Sequence, residues 1–324
     1  MVARTDPAGT RPSSSPALPA PLLVLGSVVT VQTGQALGKG LFETVGGPFG
    51  VVTLRLGLAG LVLLALWRPR RPPDRRSALL LLAFGTAIAG MNLSYLAMAH
   101  LPLGVVMTIQ LSGPLAVFVL PLRRWTNTAW GLLAAAGLAL FTLPGSGEQP
   151  LDPRGVAWAA ASGVSMAAYL LLSRRTGAAM SGGGPLALAV CWAAVLTLPL
   201  GLADAGARLA EPRILLAGLG VAVLSAAVPY SLELAALRRL PAGVVGVLQS
   251  LEPVAAGFAG LILLGERLSG LQWLAVGCIT LASAGAVAGH RSGGAAGATS
   301  GPSDEIPVPG RSVLADGVNR ATRR

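Results

Sequence analysis

Apolar runs of roughly 20 residues recur along the chain, parted by short gaps rich in charge, proline or glycine. They fall at 21–42, 49–67, 77–99, 103–122, 127–143, 155–173, 185–203, 214–237, 242–264 and 270–289. A helix needs about this length to cross a bilayer. The pattern therefore predicts an all-α polytopic membrane protein with ten transmembrane helices. Several gaps are so short that neighbouring helices must form hairpins. The ends break the pattern. Residues 1–20 are polar and rich in Pro and Ser, and residues 290–324 are rich in Gly, Ser, Pro and Arg. Both are expected to be disordered cytoplasmic tails. The first run exceeds a signal-peptide core, usually about 7–15 residues, so it reads as a true span.

Composition agrees. Hydrophobic residues make up 53% of the 324 and charged residues 11%, where a soluble domain carries about 25%. The net charge of +11 raises the question of nucleic acid, but its distribution argues against that. Lys39 is the sole lysine, and the arginines cluster in the gaps. Ten spans put both termini on one side. With that side cytoplasmic, eighteen arginines lie in inner segments and four, Arg154, Arg208, Arg213 and Arg267, in outer ones. Retention of basic loops on the cytoplasmic face explains the asymmetry.

The chain also repeats itself. "HLPLGVVMTIQLSGPLAVF" (100–118) and "RLPAGVVGVLQSLEPVAAG" (239–257) align without gaps. Leu101, Pro102, Gly104, Val105, Val106, Gln110 and Pro114 meet Leu240, Pro241, Gly243, Val244, Val245, Gln249 and Pro253. Downstream, Trp130 meets Trp273 after a short shift. Hydrophobicity alone does not match Pro, Gly and Gln in order. Each unit holds five spans, at 21–143 and 154–289, and an odd number turns the second upside down. The expected architecture is two inverted five-helix repeats, as in many carriers that work by alternating access.

"PYSLELAALRRLPAGVVGVLQSLEPVAAGFAGLILLGERLSGLQWLAVGCITLASAG" (229–285) resembles the second EamA domain of the drug/metabolite transporter superfamily, in its threonine/homoserine-exporter branch. "GQALGKGLFETVGGPFGVVTLRLGLAGLVLL" (34–64) and "GMNLSYLAMAHLPLGVVMTIQLSGPLAVFVL" (90–120) resemble the first domain. The resemblance spans about residues 21–289. It implies a ten-helix carrier of the bacterial cytoplasmic (inner) membrane with both termini cytoplasmic. It also implies export of amino acids or related metabolites, driven by the proton gradient. A family does not fix a ligand, so uptake or efflux of another small metabolite or toxic compound stays open.

Charge inside a span persists only for a reason. Glu252 lies near the middle of its run, and Glu233 about one turn from the inner end of the preceding one. Glu252 is the first candidate for binding a proton or a substrate ammonium; the plain alternative is an acid hydrogen-bonded between helices. Glu233 is a second candidate or an ion-pair partner of Arg238. Lys39 sits near a span end, where it lines the site or snorkels to the interface. Arg55 is expected to be a structural partner of Glu43 or of a helix carbonyl. Gln249 and Glu252, at i and i+3, share a helix face. Pro253 and Pro114 are helix-kink candidates. Lacking an N–H, they free the carbonyls of Gln249 and Gln110, which in lipid must face protein or a watery cavity. Gln110, Asn92 and Tyr169 complete the candidates, Tyr169 with a packing role as the equal alternative.

Other chemistry finds no foothold. Cys191 and Cys278 lie in apolar runs without a CxxC or a nearby histidine, so neither zinc nor a disulfide is expected. No HExxH, Gx-Ser-xG elbow or aspartate pair suggests an enzyme, and no charged ring or filter motif suggests a channel. Neither cofactor nor metal is expected. The expected partners are a small molecule such as an amino acid, protons and the lipid bilayer. The GxxxG of Gly34 and Gly38 fits close helix packing within the chain or in a homodimer.

Overall fold

A computed structural model describes residues 19–67, 74–119, 125–141, 143, 150–180, 183–237 and 239–298. The chain divides into two units, Met1–Gly289 and His290–Arg324. In the second, only 290–298 are described, and they are helical; the rest of the expected tail lies outside the described residues. Everything below concerns the first unit.

The described residues are mostly helical, without a strand among them. The helices are α1 Ala20–Gly40, α2 Phe42–Val45, α3 Pro48–Trp67, α4 Arg75–Met91, α5 Leu93–Met98, α6 Leu103–Val119 and α7 Trp125–Leu140. They continue with α8 Pro153–Ala179, α9 Gly184–Ala205, α10 Pro212–Ala222, α11 Val228–Leu237, α12 Ala242–Gln249, α13 Glu252–Ala259 and α14 Gly270–Ala298. Seven helical stretches are long and apolar enough to cross a membrane, and 103–117, 128–140 and 212–226 are shorter apolar helices. Large side chains on the outside confirm the solvent: Leu61, Leu66, Val164, Leu216 and Ile262 are all more than 60% exposed. Water would penalise that surface, whereas lipid matches it. The chain is a multi-pass membrane protein.

Helix starts follow ordinary capping chemistry. The Asp74 side chain accepts from the Ser77 amide at 2.7 Å to open α4. Asp152 accepts from the Arg154 amide at 2.8 Å to open α8, with Pro153 in the first turn. The Arg154 amide, more than His100 beside it, holds the Asp152 carboxyl below its ordinary value. Asp204, from the end of α9, accepts from the Phe49 amide at 3.0 Å and so caps α3 across the fold.

Packing sets which helices share the centre. α3 lies along α9, α4 lies on α8 and α9, and α6 packs between α8 and α13. α1 packs on α11, α13 and the π-helical turn Val223–Ala227. α6 and α8 cross backbone to backbone at Gly113 and Gly163: a Cβ on Gly113 would collide with the Gly163 carbonyl, and one on Gly163 would lie 2.9 Å from the Gln110 oxygen.

Three apolar stretches are interrupted at depth. α4 and α5 part at Asn92; α10 and α11 are joined by the π turn; α12 and α13 part at Ser250–Leu251. At the last break the Ser250 amide is shared by the carbonyls of Gly246 and Val247, and the Leu251 amide turns to Leu248. Each interruption departs from the i to i−4 ladder and gives the local backbone and side chains new directions.

Candidate functional site

Polar side chains gather at these interruptions, but in several groups rather than one. The first is acidic. Glu233 on α11 and Gln249 at the end of α12 bring their side chains within reach of each other. Glu252 begins α13, and the charges of Glu233 and Glu252 act on each other. The break therefore brings Glu233, Gln249 and Glu252 together, although they come from different helices. Among the described residues no hydrogen bond holds Glu252, which is partly buried. Arg238, the partner expected for Glu233, lies outside the described residues.

Asn92 and Arg55 form the second group. Arg55 donates from Nη1 to Asn92 Oδ1 at 2.7 Å and from Nε to Ser225 Oγ at 2.8 Å. Its guanidinium lies 5.6 Å from the centre of the Tyr95 ring. Of the two expected partners, Glu43 is exposed on α2, while a helix carbonyl, that of Ser225, accepts from Nη2 at 3.4 Å. Arg55 is thus held by the α4–α5 break and the π turn, contacts that bridge 37 and 170 residues of sequence.

Gln110 does something other than line a cavity. Its amide donates to Ser162 Oγ and, at 3.2 Å, to the Met91 carbonyl; Ser162 donates to the same carbonyl at 2.7 Å. Met91 ends α4, so the pair satisfies an acceptor left at the break. The carbonyl expected to be freed by Pro114 lies against Gly163. α6 runs through Pro114 without interruption, while the Pro253 stretch is broken just before the proline. Close contact with α8 supports α6 where its ladder is missing a bond.

Lys39 neither snorkels nor joins these groups. Its Nζ pairs with Glu266 Oε1 at 2.5 Å and donates to the Leu101 carbonyl at 2.8 Å. Glu266 Oε2 accepts from the Leu103 amide at 2.7 Å. One carboxylate thus ties the end of α1 to the start of α6 and to the segment before α14. Tyr169 stacks on Phe84, ring centres 5.4 Å apart and 23° between planes, which supports the packing alternative.

Sequence reasoning missed Gln32, Gln35 and Tyr95. Both amide atoms of Gln32, Oε1 of Gln35 and the Tyr95 hydroxyl are buried without a partner among the described residues. The two glutamines stand at i and i+3 inside "VQTGQALGKG", so the signal was present. Tyr95 shows only through the fold, which sets its ring against Gly38 of α1.

Interrupted apolar helices whose breaks gather amides, a guanidinium and carboxylates are the build of a membrane carrier. The chain belongs to the EamA-like transporter family. That family's model matches residues 153–288. Threonine/homoserine exporter RhtA of Salmonella typhimurium strain LT2 is 43% identical over 284 residues, covering 85% of this chain and 94% of its own. Its namesake from Escherichia coli strain K12 is 40% identical over 269 residues, covering 82% and 90%. A crystal structure of a protein superposes with TM-score 0.57 at 19% identity, over 84% of this chain and 98% of that one, and shares the fold.

Proposed function

We propose that the protein exports threonine, homoserine or similar small amino acids across the bacterial inner membrane, exchanging them for protons by alternating access. The observation that carries this is the likeness to the two RhtA exporters over most of each chain. Ten spans in two inverted five-helix repeats, with both termini cytoplasmic, are the arrangement that fits the apolar runs, the aligned halves and the arginine asymmetry. Glu252 and Glu233 are the proton carriers of this reading, and Gln249 holds Glu233 in place. The test is efflux of labelled threonine from loaded vesicles containing the protein, with and without an inward proton gradient. Efflux that the gradient accelerates supports exchange. Efflux at one rate in both conditions removes the proton from the mechanism, and no efflux of either amino acid removes the substrate class.

In this orientation the Lys39–Glu266–Leu103 clasp lies at the outer face and holds it shut. Glu266→Gln removes the charge while keeping the size. Hydrogen bonds to charged groups contribute about 1.5–3 kcal/mol, so even the low end raises the outward-open population about tenfold. A cysteine at Leu101→Cys, in a background carrying Cys191→Ala and Cys278→Ala, reports the change. An impermeant maleimide added outside should label it about ten times faster when Glu266→Gln is present. An unchanged rate means the clasp is no gate.

A further inference from the structure

We propose that Arg55 is the receptor for the substrate's α-carboxylate, with Asn92 and Ser225 as its positioning residues. This rests on the reading of the protein as an amino-acid exporter and assigns one end of the cargo to a place in the fold.

The argument begins with charge. A cation within a span is costly unless an anion or a set of dipoles answers it. Lys39 has Glu266. Arg55 has no carboxylate within ion-pair distance among the described residues; its acceptors are the neutral Asn92 Oδ1, Ser225 Oγ and, at 3.4 Å, the Ser225 carbonyl. A guanidinium carries five N–H donors. Three are used, one of them in a long bond, so donors remain on both terminal nitrogens. A carboxylate fits such a fork with two parallel bonds and supplies the missing charge.

The holders of Arg55 are themselves fixed. Asn92 Nδ2 donates to the Ile88 carbonyl at 2.8 Å, which fixes Oδ1 as the acceptor turned to Arg55. Ser225 donates to the Val221 carbonyl at 2.6 Å, which leaves its oxygen lone pairs for Nε. Both sit at helix interruptions, Asn92 between α4 and α5 and Ser225 within the π turn. The guanidinium is thus aimed by neutral groups that are already satisfied. An internal ion pair would be built with a protein acid instead.

A second, independent observation marks the same place. The Tyr95 ring lies under the guanidinium, and its hydroxyl is fully buried with no partner among the described residues. A buried polar atom left unpaired is destabilising, so the residue under the guanidinium also lacks a polar partner that the described residues supply. The site therefore takes a small molecule bearing a free carboxylate. The corresponding amino alcohol or amide lacks the anion and is rejected.

The test compares each transported amino acid with its amino alcohol, using the full chain in vesicles and counterflow of labelled substrate. Breaking one side of a buried charge pair costs enough to weaken binding at least ~30-fold. Threoninol should therefore compete with threonine at least ~30-fold less well in the unaltered protein. Arg55→Lys, which keeps the charge and loses the fork, should raise KM for threonine by a similar factor at unchanged yield of monodisperse protein. Asn92→Ala should raise KM by less, because Ser225 still holds Arg55. Equal competition by the amino alcohol, which needs no variant to fold, overturns the proposal. So does an unchanged KM in Arg55→Lys. If the protein ignores threonine but moves another carboxylate with the same preference over its alcohol, the carboxylate site stands and the threonine assignment falls.

Discussion

Replacing Glu252 by glutamine should abolish the part of efflux that a proton gradient drives, while leaving exchange of labelled for unlabelled threonine in place. Glutamine keeps the shape of the side chain but can neither lose nor gain the proton that the cycle needs. In an antiporter the carrier must release its proton before loading outward-bound cargo, and exchange of like for like skips that step. The gradient-driven component should fall to the rate of vesicles without the protein, because the group that carries the proton at this position is gone. Glu252→Asp should keep a reduced response. Glu233→Gln should lower the response less, because Glu233 is already tied to Gln249 and acts on Glu252 only through its charge. The readouts are two initial rates in the same vesicles: efflux under an inward proton gradient, and counterflow without one. A Glu252→Gln protein that answers the gradient as strongly as the unaltered chain would sink the coupling role. Loss of both rates together would point to substrate binding instead.

The helices could be read from sequence because lipid imposes one rule: a run of apolar residues long enough to span must satisfy its own backbone. The runs at 49–67 and 270–289 meet α3 Pro48–Trp67 and α14 Gly270–Ala298, which begins on the expected residue. What could not be read is where a run breaks. Asn92 sits in "GMNLSYL" with no proline near, yet α4 stops there because its side chain turns to Ile88 and to Arg55. Pro114 pointed to a kink, and α6 stays helical through it. Partners were harder still. Arg55 and Ser225 are 170 residues apart, and nothing local to either names the other. Local reasoning offered Arg55 either Glu43, which was near in sequence, or a helix carbonyl; the fold gives it the Ser225 carbonyl at 3.4 Å and not Glu43. Glu266 likewise finds its partners far off in sequence, in Lys39 and the Leu103 amide. Glu252 and Gln249 stood out because both are conspicuous inside an apolar run. Gln32 and Gln35 lie in as plain a context and passed unnoticed.

The aligned halves set Gly113 opposite Glu252, and the crossing of α6 with α8 gives a reason for the difference. Where the second half carries its acid, the first half has no room for any side chain. A Cβ at Gly113 would meet the carbonyl of Gly163, which is backbone and cannot swing aside. Gly113→Ala should therefore destabilise the protein by about 1–3 kcal/mol or more, the usual range for overpacking, even though alanine is the better helix former. Gly57, inside α3, is the control: nothing lies within 4 Å of the place a methyl group would take there. At that position the propensity gain acts alone, and Gly57→Ala should stabilise by up to about 1 kcal/mol. Thermal melts of the detergent-solubilised proteins should thus move in opposite directions. Gly163→Ala should follow Gly113→Ala, since its methyl would lie 2.9 Å from the Gln110 oxygen. If both alanines at the crossing melt like the unaltered chain, the two helices have room to part. Steric exclusion would then no longer explain why the acid stands in one half alone.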